Sequence, residues 1–302
     1  GDYTSLSWNF GDGNTSTDIN PTHGFVSPGT YLVTLTADGP GGTQQKTSSI
    51  VVYAPAVADF TAAPTSGVAP LTVIFTNGSS GDYLSSLWDF GDGNTSTEVN
   101  PTHIYTAKGI YTVSLTVSGP GGNDSETKTG LITVYEGVSA QFNGIPTSGI
   151  APLTVNFTNQ TSGDFTSQSW SFGDGNTSDL SNPNHAYTTG GTYDVSLTAT
   201  GPGGIDTETK TNYITVYTPV VASFTGSPTS GVGPLEVAFT NQSTGNFTEL
   251  SWDFGDGNTS NDANPVHIYT ENGSYTVTLT ASGPGGTDIE TYTDYITVYQ
   301  AV

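Results

Sequence analysis

The sequence predicts an all-β chain of tandem sandwich domains in an elongated array. Three features point there: a phrase written four times at a near-constant step, segments in which apolar and hydroxylated residues alternate, and a composition of strand formers and turn formers. Trp8, Trp88, Trp170 and Trp252 open WNFGDGNTS, WDFGDGNTS, WSFGDGNTS and WDFGDGNTS, at separations of 80, 82 and 82 residues. Pro40, Pro120, Pro202 and Pro284 follow the same steps in four copies of GPGG. A period this long exceeds that of a solenoid repeat and suits a self-contained sandwich.

Composition narrows the function classes. The 302 residues include no cysteine, which excludes a disulfide framework and a thiolate metal site. There is no methionine, even at position 1, so the chain reads as a processed form or a piece of something longer. Lys46, Lys108, Lys128 and Lys210 face 27 acids, for a formal charge of −23. Such a polyanion is a poor partner for nucleic acid or an anionic membrane, both of which are held by Lys and Arg. No apolar run approaches the ~20 residues that span a bilayer, and no signal peptide is evident. Disorder is excluded by 4 Trp, 16 Tyr and 13 Phe, spread evenly and set in alternating patterns.

The repeat divides the chain into complete units at 57–138, 139–220 and 221–302, preceded by a partial unit at 1–56. Gly1 aligns with Gly81, so the partial unit lacks 24 residues that include the first two strands. Either the chain is cut from a longer array or strands arrive from a neighbouring molecule by β-augmentation. The first account is simpler, because no spare copy of those strands stands at the other end. Within 57–138 the expected strands are 58–63, 71–77, 84–90, 103–106, 110–118 and 127–135. Tyr111-Thr-Val113-Ser-Leu115-Thr-Val117 alternates strictly, as a half-buried antiparallel strand requires. The links VYAPAV and YTPVV are short and carry proline, so they should act as semi-rigid connectors.

WDFGDGNTS, NPTHIYT and GIYTVSLTV, recurring in order in every unit, resemble the PKD (polycystic kidney disease) domain family, and the resemblance covers the whole chain. The Asn/Thr-rich variant with PTSGxxPLTV and GPGG is similar to tandem arrays of archaeal cell-surface proteins. The resemblance implies an immunoglobulin-like sandwich of about seven strands, used outside the cell as a spacer, adhesive or assembly module. The residues fit that fold. Trp8, Trp88, Trp170 and Trp252 take the core tryptophan position on a central strand, and Tyr31, Tyr111, Tyr193 and Tyr275 read as tyrosine corners. Val113 stands where antibody domains place cysteine, so aromatic burial must replace the disulfide's contribution.

GDGN is the sharpest motif. It reads first as a tight turn in which the glycines take positive φ and the aspartate caps backbone N–H groups. The functional alternative is a calcium site using Asp89 and Asp92 with loop carbonyls, the one cofactor the sequence admits. Against it, Ser171 replaces the first acid in the third unit, and the 241–250 stretch lacks the acidic loop of calcium-binding relatives. His23, His103, His185 and His267 occur once per unit and are read as turn and core residues, not zinc ligands. Asp89 and Asp92 lie side by side on one segment, which does not suit a glycosidase pair. No catalytic residue is expected. N-glycosylation sequons are dense. Asn14, Asn94, Asn176 and Asn258 share one exposed turn and are the expected sites. Asn77, Asn123, Asn159, Asn241, Asn246 and Asn272 are further positions, whereas Asn156, within a strand, should be less accessible.

These features favour a non-catalytic extracellular structural glycoprotein of a cell-surface layer (S-layer), sheath or filament. Its partners would be other copies of itself, meeting laterally, end to end or by strand sharing. The alternative is an adhesion module for carbohydrate, including cell-surface glycans, or for protein, appended to a secreted enzyme. Tyr83, Phe165 and Phe247, with Tyr3, would supply its aromatic row. The bland reading of that row is packing at the sandwich end.

Overall fold

In the computed structural model, residues 2–301 are described; they form β-strands joined by turns, with no helix among them. The chain divides into two compact units, Gly1–Glu136 and Gly137–Val302. Each contains two of the repeats.

The second repeat shows the complete plan. Phe60–Ala63, Leu71–Asn77 and Thr102–Tyr105 form a three-stranded sheet with Leu71–Asn77 at its centre. A five-stranded sheet orders Ser66–Val68, Gly122–Tyr135, Gly109–Gly119, Ser85–Asp89 and Thr95–Ser96. Pairing is antiparallel except where Ser66–Val68 runs parallel to Gly122–Tyr135. Pro64 separates the strands Phe60–Ala63 and Ser66–Val68, which join different sheets; lacking an N–H, it ends one ladder before the next begins. The third and fourth repeats reproduce both sheets. The immunoglobulin-like sandwich expected from the sequence is the fold.

Alternation places Val113, Leu115 and Val117 inward, each fully buried, against Phe60, Val73 and Phe75 of the facing sheet. Trp88, also fully buried, meets Phe60 edge-on at 5.2 Å and Phe75 at 5.5 Å, tying sheet to sheet. Trp170 and Trp252 repeat these contacts. The tyrosine corners form as read: Tyr111, Tyr193 and Tyr275 donate their hydroxyls to the carbonyls of Ala107, Thr189 and Glu271, and Tyr31 to that of Ser27. These rings are half-buried, however. The tyrosines fully enclosed in the cores are Tyr105, Tyr187 and Tyr269 of the HxY motif, onto which the corner rings pack.

The first repeat corrects one expected core residue. Its described strands Thr15–Ser16, Ser5–Asn9, Gly29–Gly39 and Gly42–Val52 make a single sheet. With no facing sheet, Trp8 is half-buried, and Ile50 is 41% exposed where its counterpart Ile132 is buried. This sheet also explains the shorter first step of the repeat. In the complete repeats two extra residues bulge from the last strand, between the partners of Tyr111 and Val113, of Tyr193 and Val195, and of Tyr275 and Val277. Gly130 (φ 62°), Asn212 (φ 50°) and Asp294 (φ 52°) supply the left-handed residue there, a conformation Asn and Asp tolerate better than most. In the first repeat Gly29–Gly39 and Gly42–Val52 pair without a break, two residues shorter.

Sequence differences between repeats compensate one another. Gly144 and Gly226 lie where a Cβ would stand 2.8–2.9 Å from the ring of Phe157 or Phe239, and Tyr213 and Tyr295 donate back to their carbonyls. The second repeat has Ala62 and Leu131 at these places. Gly144→Ala should therefore destabilise the chain by about 1–3 kcal/mol through overpacking, and adding Tyr213→Leu should recover part of that loss. A double-mutant cycle by urea denaturation checks the coupling; additive effects would disprove it.

Candidate functional site

The GDGN turn is the most elaborate polar cluster of each repeat, and its geometry follows from the chain around it. The strand Ser85–Asp89 ends at Phe90, whose N–H donates to the carbonyl of Asn94 across the turn, at 3.1 Å. Gly91 (φ +78°) runs so close to the neighbouring strand that a Cβ would lie 2.2 Å from the carbonyl oxygen of Thr112, so only glycine fits. Asp89 Oδ1 accepts the N–H of Gly91 at 2.9 Å. Asp92 takes three donors: the Asn94 N–H on Oδ1 at 3.0 Å, and Asn94 Nδ2 (3.1 Å) and His103 Nε2 (2.7 Å) on Oδ2.

His103 arrives from the three-stranded sheet, so this bond links the two layers at their edge. Its ring stacks on Phe90 at 4.2 Å with planes 4° apart, and meets Tyr105 edge-on at 4.7 Å. Tyr105 donates its hydroxyl to the Phe90 carbonyl at 3.0 Å. The same His–Asp bond, 2.7 Å long, joins His23 to Asp12, His185 to Asp174 and His267 to Asp256. The histidines have the turn and core role expected of them. The pairing with aspartate was not foreseen, although its signal was present: the Asp of GDGN precedes His by 11 residues in every copy.

The calcium candidates Asp89 and Asp92 thus spend three of their four oxygens on N–H donors, which a cation would have to displace. Among the described residues no group of three or more His, Asp or Glu is placed to hold a metal ion.

The expected glycan positions separate by exposure. Asn14, Asn94, Asn176 and Asn258 are exposed, each using one amide N–H toward its aspartate. Asn123, Asn246 and Asn272 are also exposed. Asn77, Asn159 and Asn241 are half-buried, with side-chain oxygens capping the N–H groups of Ser79, Thr161 and Ser243. Asn156 corrects the expectation for a strand residue: it sits on the solvent face of Leu153–Asn159 and is exposed. Tyr83, Phe165 and Phe247 are half-buried; Tyr83 packs on the second core, and Phe247 on Val220, Ala222 and Ala281. Tyr83 and Phe247 thus pack at the sandwich end, and of this row only Tyr3 is a strongly exposed ring, at 51%.

GPGG has a use that sequence reasoning missed. Ala54 donates its N–H to Asp82 Oδ2 at 2.7 Å and accepts from the Asp82 N–H at 3.1 Å, while the Ala56 N–H reaches the Gly121 carbonyl at 3.2 Å. A Cβ on Gly121 would stand 2.0 Å from the carbonyl oxygen of Ala54. Thr218, Asn246, Val220 and Gly285 repeat this clasp at 2.6, 3.1 and 3.0 Å. The glycine lets the connector lie against the hairpin.

The electrostatics of the turn set its response to acid. The bond from His23 holds the Asp12 carboxyl at about 2. At Asp92 and Asp256 burial opposes ionisation, but the bonds from His103 or His267 and from Asn94 or Asn258 outweigh it and hold the carboxyl below its ordinary value. Asp174 is lowered in the same way, with Asn176 ahead of His185. A folded value below the unfolded one, ~3.9, gives stability that is complete above pH ~4 and is lost as pH falls through the folded value. Replacing Asp92, Asp174 and Asp256 together with Asn should lower stability at pH 7 by about 1–3 kcal/mol per repeat. It should also flatten the fall in melting temperature between pH 4 and 2. An unchanged acid slope would show that these carboxylates do not govern it.

Comparison with known proteins places this geometry. The model of the PKD domain matches residues 1–54, 52–134, 138–216 and 218–298. Collagenase ColA of Bacillus cereus is 47% identical over 70 residues, 22% of this chain and 7% of that protein. Pre-pro-metalloprotease PrtV of Vibrio cholerae is 44% identical over 68 residues, again 22% of this chain and 7% of that protein. The chain therefore matches less than a tenth of the length of these relatives. Among solved structures, the I-band fragment I67-I69 from titin aligns over 83% of this chain and 100% of its own, at 14% identity and a TM-score of 0.58. That likeness concerns the fold alone. With four matches in tandem and the GDGN turn, tyrosine corner and buried tryptophan in place, the chain belongs to the PKD domain family.

Proposed function

We propose that this chain is a non-catalytic extracellular spacer, in which clasped sandwiches set the distance and orientation of whatever is joined to them. The observation that carries this reading is the repeated clasp of the connectors 54–57 and 218–221 onto the following repeat. Those connectors spend their backbone donors on the next sandwich, where a free linker would leave them to water. The polar cluster of each repeat likewise directs its donors and acceptors inward. The density of sequons supports an extracellular setting and a glycan coat, and the negative charge supports solubility at high density. Self-association into a cell-surface layer or filament is the larger assembly in which such a spacer would serve.

Hydrogen exchange on the intact chain tests the clasp. The amides of Ala54, Ala56, Thr218 and Val220 should exchange about 100-fold or more slowly than unstructured peptide, as interior strand amides do. Exchange at free-chain rates would remove the basis of the spacer reading. Glycopeptide mass spectrometry of natively expressed material should find sugar at Asn94, Asn176 and Asn258. It should not find sugar at Asn77, whose amide nitrogen is buried without a partner.

The relatives favour a second reading, an adhesive module attached to a secreted hydrolase. Their names are those of a collagenase and a metalloprotease, and the matched stretch is a small part of each.

A further inference from the structure

We propose that the third and fourth repeats each carry a groove for neutral, hydroxyl-rich polysaccharide. The groove originates in a half-unpaired strand. Ser167–Ser171 pairs along its whole length with Gly191–Gly201, but with Thr177–Ser178 only at Trp170 and Ser171. The outer edge of residues 167–169 is therefore open. Against it lies a groove of about 460 Å³, lined by Thr166, Ser167, Ser169, Asp179, Thr198 and Thr200. Gln168 closes one wall by donating from Nε2 to the Asp179 carbonyl at 2.7 Å. The fourth repeat has a groove of about 470 Å³ at the corresponding positions, lined by Thr248, Glu249, Leu250, Ser251, Asn261 and Ser282.

The lining determines the class of ligand. Hydroxyl and amide groups both donate and accept, and strands ~4.8 Å apart present them in rows, as hydroxyls recur from residue to residue along a sugar chain. Threonine methyl groups supply apolar ground between them. Both volumes fall within the range of small-molecule sites, ~300–1,000 Å³. Each groove has one carboxylate, Asp179 or Glu249, and no cation, in a chain of charge −23. An anionic polymer would be repelled, and a neutral one is accommodated. The second repeat differs at the decisive places: Leu84 and Leu87, 84% and 49% exposed, stand where the third has Thr166 and Ser169. Leucine at these sites is thus compatible with the fold while removing the hydroxyls.

This inference rests on the adhesive reading and names its surface. The test is electrophoresis of the full chain through native gels containing hydroxyethylcellulose, arabinoxylan, galactomannan or laminarin, with alginate as the acidic comparison. At least one neutral gel should retard the chain, and alginate should not. The combined variant Thr166→Leu, Ser169→Leu, Thr248→Leu, Ser251→Leu should lose at least tenfold in affinity at an unchanged melting temperature. Equal retardation of this variant would overturn the grooves while leaving the adhesive reading intact. Equal retardation in alginate would overturn the assignment to neutral polymers. No retardation of the parent by any neutral gel would overturn the grooves together with the carbohydrate part of that reading.

Discussion

One buried indole per sandwich holds the rest in place. Trp88 rises from the five-stranded sheet, meets the two phenylalanines of the other sheet, and donates Nε1–H to the Glu98 carbonyl at 2.9 Å. A buried tryptophan thereby gains its full apolar area without leaving its polar atom unpaired. Because the acceptor is a backbone carbonyl, the residue supplying it is free to vary: Glu98, Leu180 and Asp262 all serve. The first repeat shows what the facing sheet adds. Trp8 still reaches the Asp18 carbonyl, at 3.2 Å, yet remains half-buried, because the hydrogen bond positions the ring without covering it.

The GDGN turn does at the rim what the indole does at the centre. Its bond to histidine crosses from one sheet to the other, and the histidine ring extends the aromatic stack of Phe90 outward. Here the contact between sheets is made side chain to side chain, and the tolerances are correspondingly tight. Gly91 cannot acquire a Cβ, Asp92 is committed to three donors, and the residues recur unchanged in all four copies. Position 89 makes a single local bond, and it varies among Asn9, Asp89, Ser171 and Asp253. Repetition in the sequence follows the number of contacts a side chain must satisfy at once.

The fold was legible because alternation and repetition report burial directly. Tyr111 to Val117 was read residue by residue, and the tyrosine corner with it. The parts that were not legible have physical reasons. The start of Gly122–Tyr135 is polar on both faces and pairs through its backbone ladder and a hydroxyl contact between Ser125 and Thr116, so it shows no hydrophobic period. Thr95–Ser96 is too short to carry a period at all. The HxY tyrosines lie deeper than the corner tyrosines because their hydroxyls find a carbonyl inside the sandwich, a fact of geometry that composition does not carry. Of the turn, the glycine and aspartate roles were readable. The histidine pairing requires knowing that residues 11 apart meet across two sheets.

Where a repeat changes an inward-facing residue, its contact changes too: Lys128 and Lys210 cap Phe60 and Phe142 through cation–π contact, and Tyr292 packs on Phe224 in their place. Outward-facing residues change without such compensation, as Thr166 and Ser169 do against Leu84 and Leu87. Folding constrains the first class and leaves the second open to whatever each repeat touches. The three complete repeats are interchangeable as folded units and distinct as surfaces, so specificity in this chain has to be sought on the outer sheet faces, where the copies differ, and not in the motifs that make them alike.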